Sequence, residues 1–179
     1  MQTYISILRG INVGGHRKIL MADLKKMYEK LNLKEIVTYI QSGNVIFKTD
    51  KKNSDEIAKA IEKIIFETCQ FQVPVIIRTI PEIKKIISEN PFLKEKNTEI
   101  EKLHVTFLSE IPDKSNAEAI LKYDYSPDKF SLNKKEVYVF CNNGYGNTKL
   151  SNPFFENKLK VGATTRNWKT LTKLLELAE

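Results

Sequence analysis

Two cysteines and two histidines in 179 residues leave little material for redox, metal or disulfide chemistry. Cys69 and Cys141 show none of the close spacing that zinc ligands or thioredoxin-type motifs use, and a chain of this length needs no disulfide to hold a core. Both read as incidental thiols. His16 and His104 are equally isolated in sequence, and His104 sits within an apolar run as a packed or edge-strand residue. Long apolar runs are missing as well. Nothing approaches the roughly 20 residues of a membrane-spanning helix, and no basic region precedes the first apolar run as it would in a secretion signal. These absences predict a soluble, cytoplasmic protein without a membrane segment, a metal or a cofactor.

What is present is a globular composition: 41% hydrophobic and 28% charged residues disfavour disorder. The net charge of +7 is uneven, with 13 basic against 8 acidic residues over 1–79 and 6 against 3 over 137–179. The excess therefore lies at the two ends of the chain. It permits phosphorylated ligands or nucleic acid as partners, although a solvated lysine-rich surface gives the same number.

The segment Arg9-Gly-Ile-Asn-Val-Gly-Gly-His-Arg-Lys18 stands out. Three glycines allow positive φ and close approach, and four potentially cationic side chains crowd into ten residues. It nearly matches a nucleotide P-loop, since Gly10 and Gly15 have the four-residue gap. His16 and Arg17, however, stand where Lys and Ser or Thr are required, so a Walker-type site is rejected. The dinucleotide fingerprint also fails on glycine spacing. A tight turn with solvated cations accounts for the segment equally well.

In chain order, Tyr4–Leu8 reads as a buried strand, and Leu24, Met27, Tyr28 and Leu31 mark one stripe of a helix from Met21. Ile36–Ile40 and Asn44–Lys48 form a hairpin around Gln41-Ser42-Gly43. A helix follows that Asn53 or Ser54 can cap, then a strand at Val73–Arg78. Thr79 and Glu82 have capping-box spacing for a further short helix. A second series has a strand at Leu103–Leu108, a helix at Ser115–Tyr123, strands at Lys129–Leu132 and Val137–Phe140, and a helix from Asn152 and Pro153. A last helix is expected from about Arg166 with Thr165 as its cap. The fold class is α+β: two ferredoxin-like α/β plait halves with mainly antiparallel sheets and helices packed on them. The expected boundaries are 1–90 and 103–179, with a connector at 91–102. No residue-level repeat aligns the two halves.

Four blocks, Leu8-Arg-Gly-Ile-Asn-Val-Gly-Gly15, Tyr39-Ile-Gln-Ser-Gly-Asn-Val-Ile-Phe47, Tyr145-Gly-Asn-Thr-Lys-Leu150 and Ala163-Thr-Thr-Arg-Asn-Trp168, together resemble the bacterial family catalogued as domain of unknown function 1697. The resemblance spans nearly the whole chain. It implies an α/β protein of plait-like halves and supplies no reaction. Thr148 stands where the family tends to have Ser and keeps the hydroxyl.

In a plait the first and second strands run the same way, so the glycine segment and the hairpin should meet at one end of a sheet. Arg9, Asn12, Gly14 and Gly15 would then approach Ser42 and Asn44 as one wall of a binding rim. Arg166 in the first turn of a helix would be electrostatically unfavourable by ~0.3 to 1 kcal/mol unless an anion lay nearby. Lys149, ahead of the helix start at Asn152, repeats that arrangement. The expected function is binding of a small anionic ligand by Arg9, Asn12, Gly14, Gly15, Ser42, Asn44, Lys149, Thr165 and Arg166. Nucleic-acid binding is the weaker alternative, because the strand runs lack the aromatic signature of plait RNA binders. A purely structural role is the third. No nucleophile or general base can be chosen, so no reaction or oligomeric state is expected from the sequence.

Overall fold

The computed structural model describes residues 1–96 and 98–179; residue 97, inside the connector expected at 91–102, lies outside the described residues. Contacts divide the chain into two compact units, Met1–Lys84 with Leu174–Glu179, and Lys85–Lys173.

The first unit runs β1 (Gln2–Leu8), α1 (Met21–Lys30), β2 (Lys34–Tyr39), β3 (Asn44–Thr49), α2 (Ser54–Cys69), β4 (Val75–Thr79), then α3 (Ile80–Ser88), which crosses into the second unit. Its antiparallel sheet has the order β2-β3-β1-β4, the ferredoxin-like arrangement. One face buries Tyr4, Leu8, Val45 and Phe47 against Leu24, Met27 and Tyr28 of α1 and Ile57, Ile61 and Ile65 of α2. The three- and four-residue spacing in each helix produces that stripe. Asn53 caps α2, accepting from the amides of Asp55 and Glu56 at 3.0 and 3.3 Å. The other face carries Ile5, Ile7, Ile46 and Ile76 and is also buried.

The second unit repeats the path with β5 (Leu103–Leu108), α4 (Lys114–Ile120), β6 (Lys129–Asn133), β7 (Glu136–Phe140), α5 (Asn152–Leu159) and β8 (Ala163–Asn167), followed by α6 (Trp168–Ala178). Its order, β6-β7-β5-β8, is the same arrangement. Thr165 and Arg166, expected as the cap and start of the last helix, lie instead in β8, and α6 begins two residues after Arg166. Asn167, not Thr165, is the cap: its Oδ1 accepts from the amide of Thr170 at 2.7 Å. Thr suits a strand and a cap equally, and here the pairing of Thr165 with Thr106 decides for the strand. Helix α4 also stops at Ile120, short of the expected Tyr123.

The repeat reaches single residues. Ser6 opposes Ile77 across β1 and β4 as Thr106 opposes Thr165 across β5 and β8. The next residue on each of these outer strands is a buried arginine. Arg78 Nη1 donates to the carbonyl of Ile77 at 3.0 Å, and Arg166 Nη1 donates to that of Thr165 at 2.9 Å. Thr79 then caps α3 through the amide of Glu82 at 3.3 Å, as Asn167 caps α6, and the Glu82 carboxylate returns to the Thr79 amide at 2.7 Å, completing the capping box.

Candidate functional site

At the Leu8 end of β1 the glycine segment meets the β2–β3 hairpin and the start of β4. Leu8 donates its amide to the Gly43 carbonyl at 2.8 Å and Arg9 to that of Pro74 at 3.0 Å. Asn12 does most of the joining. Its Nδ2 donates to the carbonyls of Ile19 and Gln41, each at 2.9 Å, and its Oδ1 accepts from the Ile19 amide at 2.9 Å. Three of the four hydrogen-bonding places on that amide are thus committed to backbone. Asn12 sits at φ 56°, a conformation Asn accepts more readily than most residues.

Between these anchors Val13 and His16 pair around Gly14 and Gly15, both at positive φ, as a type I′ turn requires. The tip is exposed, with His16, Arg17 and Lys18 on its outgoing arm. Asn44 is buried; its Nδ2 donates to the Tyr39 carbonyl and to Ser42 Oγ, each at 3.1 Å. Gly43 is required for contact: a Cβ there would lie 2.7 Å from Ile11 Cδ1 and 2.8 Å from Leu8 Cβ, at φ +78°. Asn12 and Asn44 therefore shape the rim through backbone contacts, and Ser42 accepts from Asn44.

Where the segment ends, a cleft of about 390 Å³ opens between its last residues, α1 and the end of α2. Lys18, Lys26 and Lys30 line it against the single carboxylate of Asp23, with Ile19, Leu20, Met27, Thr68 and Cys69 between them. Asp23 and Lys26 form an exposed ion pair at 3.4 Å. Burial pushes the Cys69 thiol up, and the Asp23 carboxylate adds to that shift. The larger cleft of the same unit, about 590 Å³, sets Lys25, Lys34 and Lys48 against Glu29, Glu35 and Glu179, so its charges balance. The smaller cleft has the positive excess. Lys26 and Lys30 escaped the sequence reading because lysines at i and i+4 on a helix usually mark a solvated face; only the end of α2 turns that face into a wall.

The second unit holds the remaining expected residues. Lys149 is exposed in the loop before α5. Thr165 Oγ1 donates to Asn152 Oδ1 at 2.7 Å, and with its one proton so committed it accepts from Thr106 Oγ1 at 2.7 Å. Arg166 follows on the strand and is buried, donating also to Thr164 Oγ1 at 3.2 Å. Successive strand residues leave β8 on opposite sides, so Thr165 and Arg166 start out from opposite faces of the sheet. Burial lowers the Arg166 guanidinium to about 10, with Tyr145 pulling it back, and it stays cationic at neutral pH. Arg166 lies in β8 and not in the first turn of a helix, so no helix dipole there calls for an anion, and its counterpart Arg78 occupies the matching place in the first unit. Nearby, the rings of His104 and Tyr145 stack at 4.9 Å, and Cys141 is buried with its thiol pushed up to about 11.

The chain is thus two plait units, the first with a clamped glycine turn after β1 beside a basic cleft. The pattern of the family described as "Protein of unknown function (DUF1697)" matches residues 1–138, and the chain belongs to that family. No curated protein matches it in sequence. Its fold is similar to that of the conserved bacterial protein SP0830 from Streptococcus pneumoniae, with a TM-score of 0.79 over 99% of both chains. At 22% identity that likeness speaks for the fold alone. No helix among the described residues is long and apolar enough to cross a membrane.

Proposed function

We propose that the protein binds a small anionic ligand in the cleft that Lys18, Lys26 and Lys30 line at the foot of the glycine turn. The observation that carries this reading is the charge imbalance of the cleft, three ammonium groups against one carboxylate already paired with Lys26. Asn12 and the glycine turn hold the Lys18 side of the cleft to the sheet, so the cations are offered by a braced wall. Arg17, beside Gly10 in the same turn, adds positive potential. The reading assigns no reaction. It puts the protein in the cytoplasm, where the free thiols of Cys69 and Cys141 would stay reduced. The test is thermal stabilisation by phosphate or pyrophosphate: a saturable rise in Tm that Lys26→Ala with Lys30→Ala abolishes supports the reading, and an unchanged response in that double variant refutes it.

A second reading rests on the exposed turn itself, where His16, Arg17 and Lys18 follow one another at an open tip: binding of single-stranded nucleic acid. The buried aliphatic face of Ile5, Ile7, Ile46 and Ile76 offers no stacking platform to such a ligand, which favours the small anion. Nucleic-acid affinity would fall steeply with salt, in proportion to the phosphates contacted. Binding that is undetectable at low salt removes this alternative.

A further inference from the structure

The cleft is built for more than a charge. Its volume of about 390 Å³ falls within the roughly 300 to 1,000 Å³ of sites that enclose organic molecules. A bare phosphate or sulfate would leave most of it to water. Its apolar lining is accessible at Leu20, which is 70% exposed, while Ile19 and Met27 are buried. Met27 forms part of the floor but is itself buried in the core between α1 and the sheet.

The polar groups between the cations are few and partly committed. The Thr68 hydroxyl donates to the carbonyl of Ile64 at 2.7 Å, and Asp23 is paired with Lys26. Lysine ammonium groups act as point charges and do not impose the bidentate geometry of arginine. The cleft thus recognises negative charge and apolar surface. The hydroxyls of a sugar phosphate would find only the remaining lone pairs of Thr68 and Asp23 to accept from them, fewer than the water they give up.

We infer that the ligand is a free, amphipathic organic anion, an alkyl or aryl phosphate or carboxylate, whose charged head meets Lys18, Lys26 and Lys30 while its apolar body covers Leu20. This inference rests on the proposed anion site and adds the nature of the body attached to the anion. Cys69 lies in the same lining and reports occupancy, because a body seated on the floor shields its thiol from a small neutral reagent.

The experiment titrates the full chain by calorimetry with inorganic phosphate, ethyl, butyl, hexyl and phenyl phosphate, and 1-hexanol, and follows alkylation of Cys69 by iodoacetamide in each. The expected result is tightening of about two- to fourfold for each added methylene, from the free energy of burying it. Saturating hexyl phosphate should slow Cys69 alkylation at least fivefold. Exposed Leu20→Ser should flatten the chain-length dependence, and Lys26→Ala with Lys30→Ala should weaken every member of the series. Equal affinity for inorganic and hexyl phosphate overturns the inference and leaves the anion site standing. Equal affinity for hexyl phosphate and 1-hexanol, or no binding by any member, overturns both. Binding to phosphatidylglycerol vesicles without binding to soluble hexyl phosphate overturns the assignment of a free ligand.

Discussion

The side-chain amide of Asn12 donates to the carbonyl of Gln41 across 2.9 Å, tying the glycine segment to the hairpin 29 residues further on. With its two bonds to Ile19 it closes both ends of the turn on one residue. Asn12→Ala should therefore cost about 1–3 kcal/mol, since it unsatisfies backbone groups and places a β-carbon residue at φ 56°. Denaturant unfolding measures the loss, and faster amide exchange over residues 13–18 should accompany it.

The glycines of the same region should respond unequally. Gly43→Ala forces a Cβ into Leu8 and Ile11, so a loss of about 1–3 kcal/mol from overpacking adds to the backbone strain. At Gly15 nothing lies within 4 Å of such a Cβ, and Gly15→Ala carries only the left-handed penalty of about 1–2 kcal/mol. If unfolding midpoints rank the two in the opposite order, the packing of the hairpin on Ile11 is wrong.

Arg78 and Arg166 should behave as a pair. Each meets the carbonyl of the preceding residue on an outer strand, so each alanine variant should lose about 1–3 kcal/mol. Neither should change the response to phosphate, because neither lines the basic cleft. Loss of the ligand response in Arg166→Ala, with unfolding unchanged, would return that residue to the binding site.

His104 provides the pH dependence. Burial lowers its pKa below the ordinary 6.5, while the backbone contact at Lys102 raises it in part. The folded state thus disfavours the imidazolium that the unfolded chain accepts. The contribution of His104 is fully present above about 6.5 and is lost as pH falls through that value towards the folded pKa. A nuclear magnetic resonance titration should put the His104 ring below 6.5, and His104→Phe should reduce the acid sensitivity of stability between pH 6.5 and 5.

The amphipathic stripes of α1 and α2, the hairpin at Gly43 and the capping box at Thr79 were legible in the sequence, because each is set by local spacing or backbone chemistry. The glycine turn and the hairpin met as strand direction alone required. Strand β8 was not legible: Thr164 and Thr165 serve a strand or a helix start, and only pairing with β5 tells them apart. The residue-level repeat escaped for a related reason. Apart from Arg78 with Arg166, it lies in matching positions filled by different residues, Ser6 with Thr106 and Thr79 with Asn167. Lys26 and Lys30 became site candidates only when the end of α2 supplied the opposite wall.

The most direct measurement of the central claim is amide chemical-shift mapping during a titration with hexyl phosphate. The account predicts saturating shifts at Lys18, Leu20, Lys26, Lys30, Thr68 and Cys69, all following one binding curve. Shifts that stay linear in ligand, or that saturate around Lys149 and Arg166 while the cleft is silent, would contradict it.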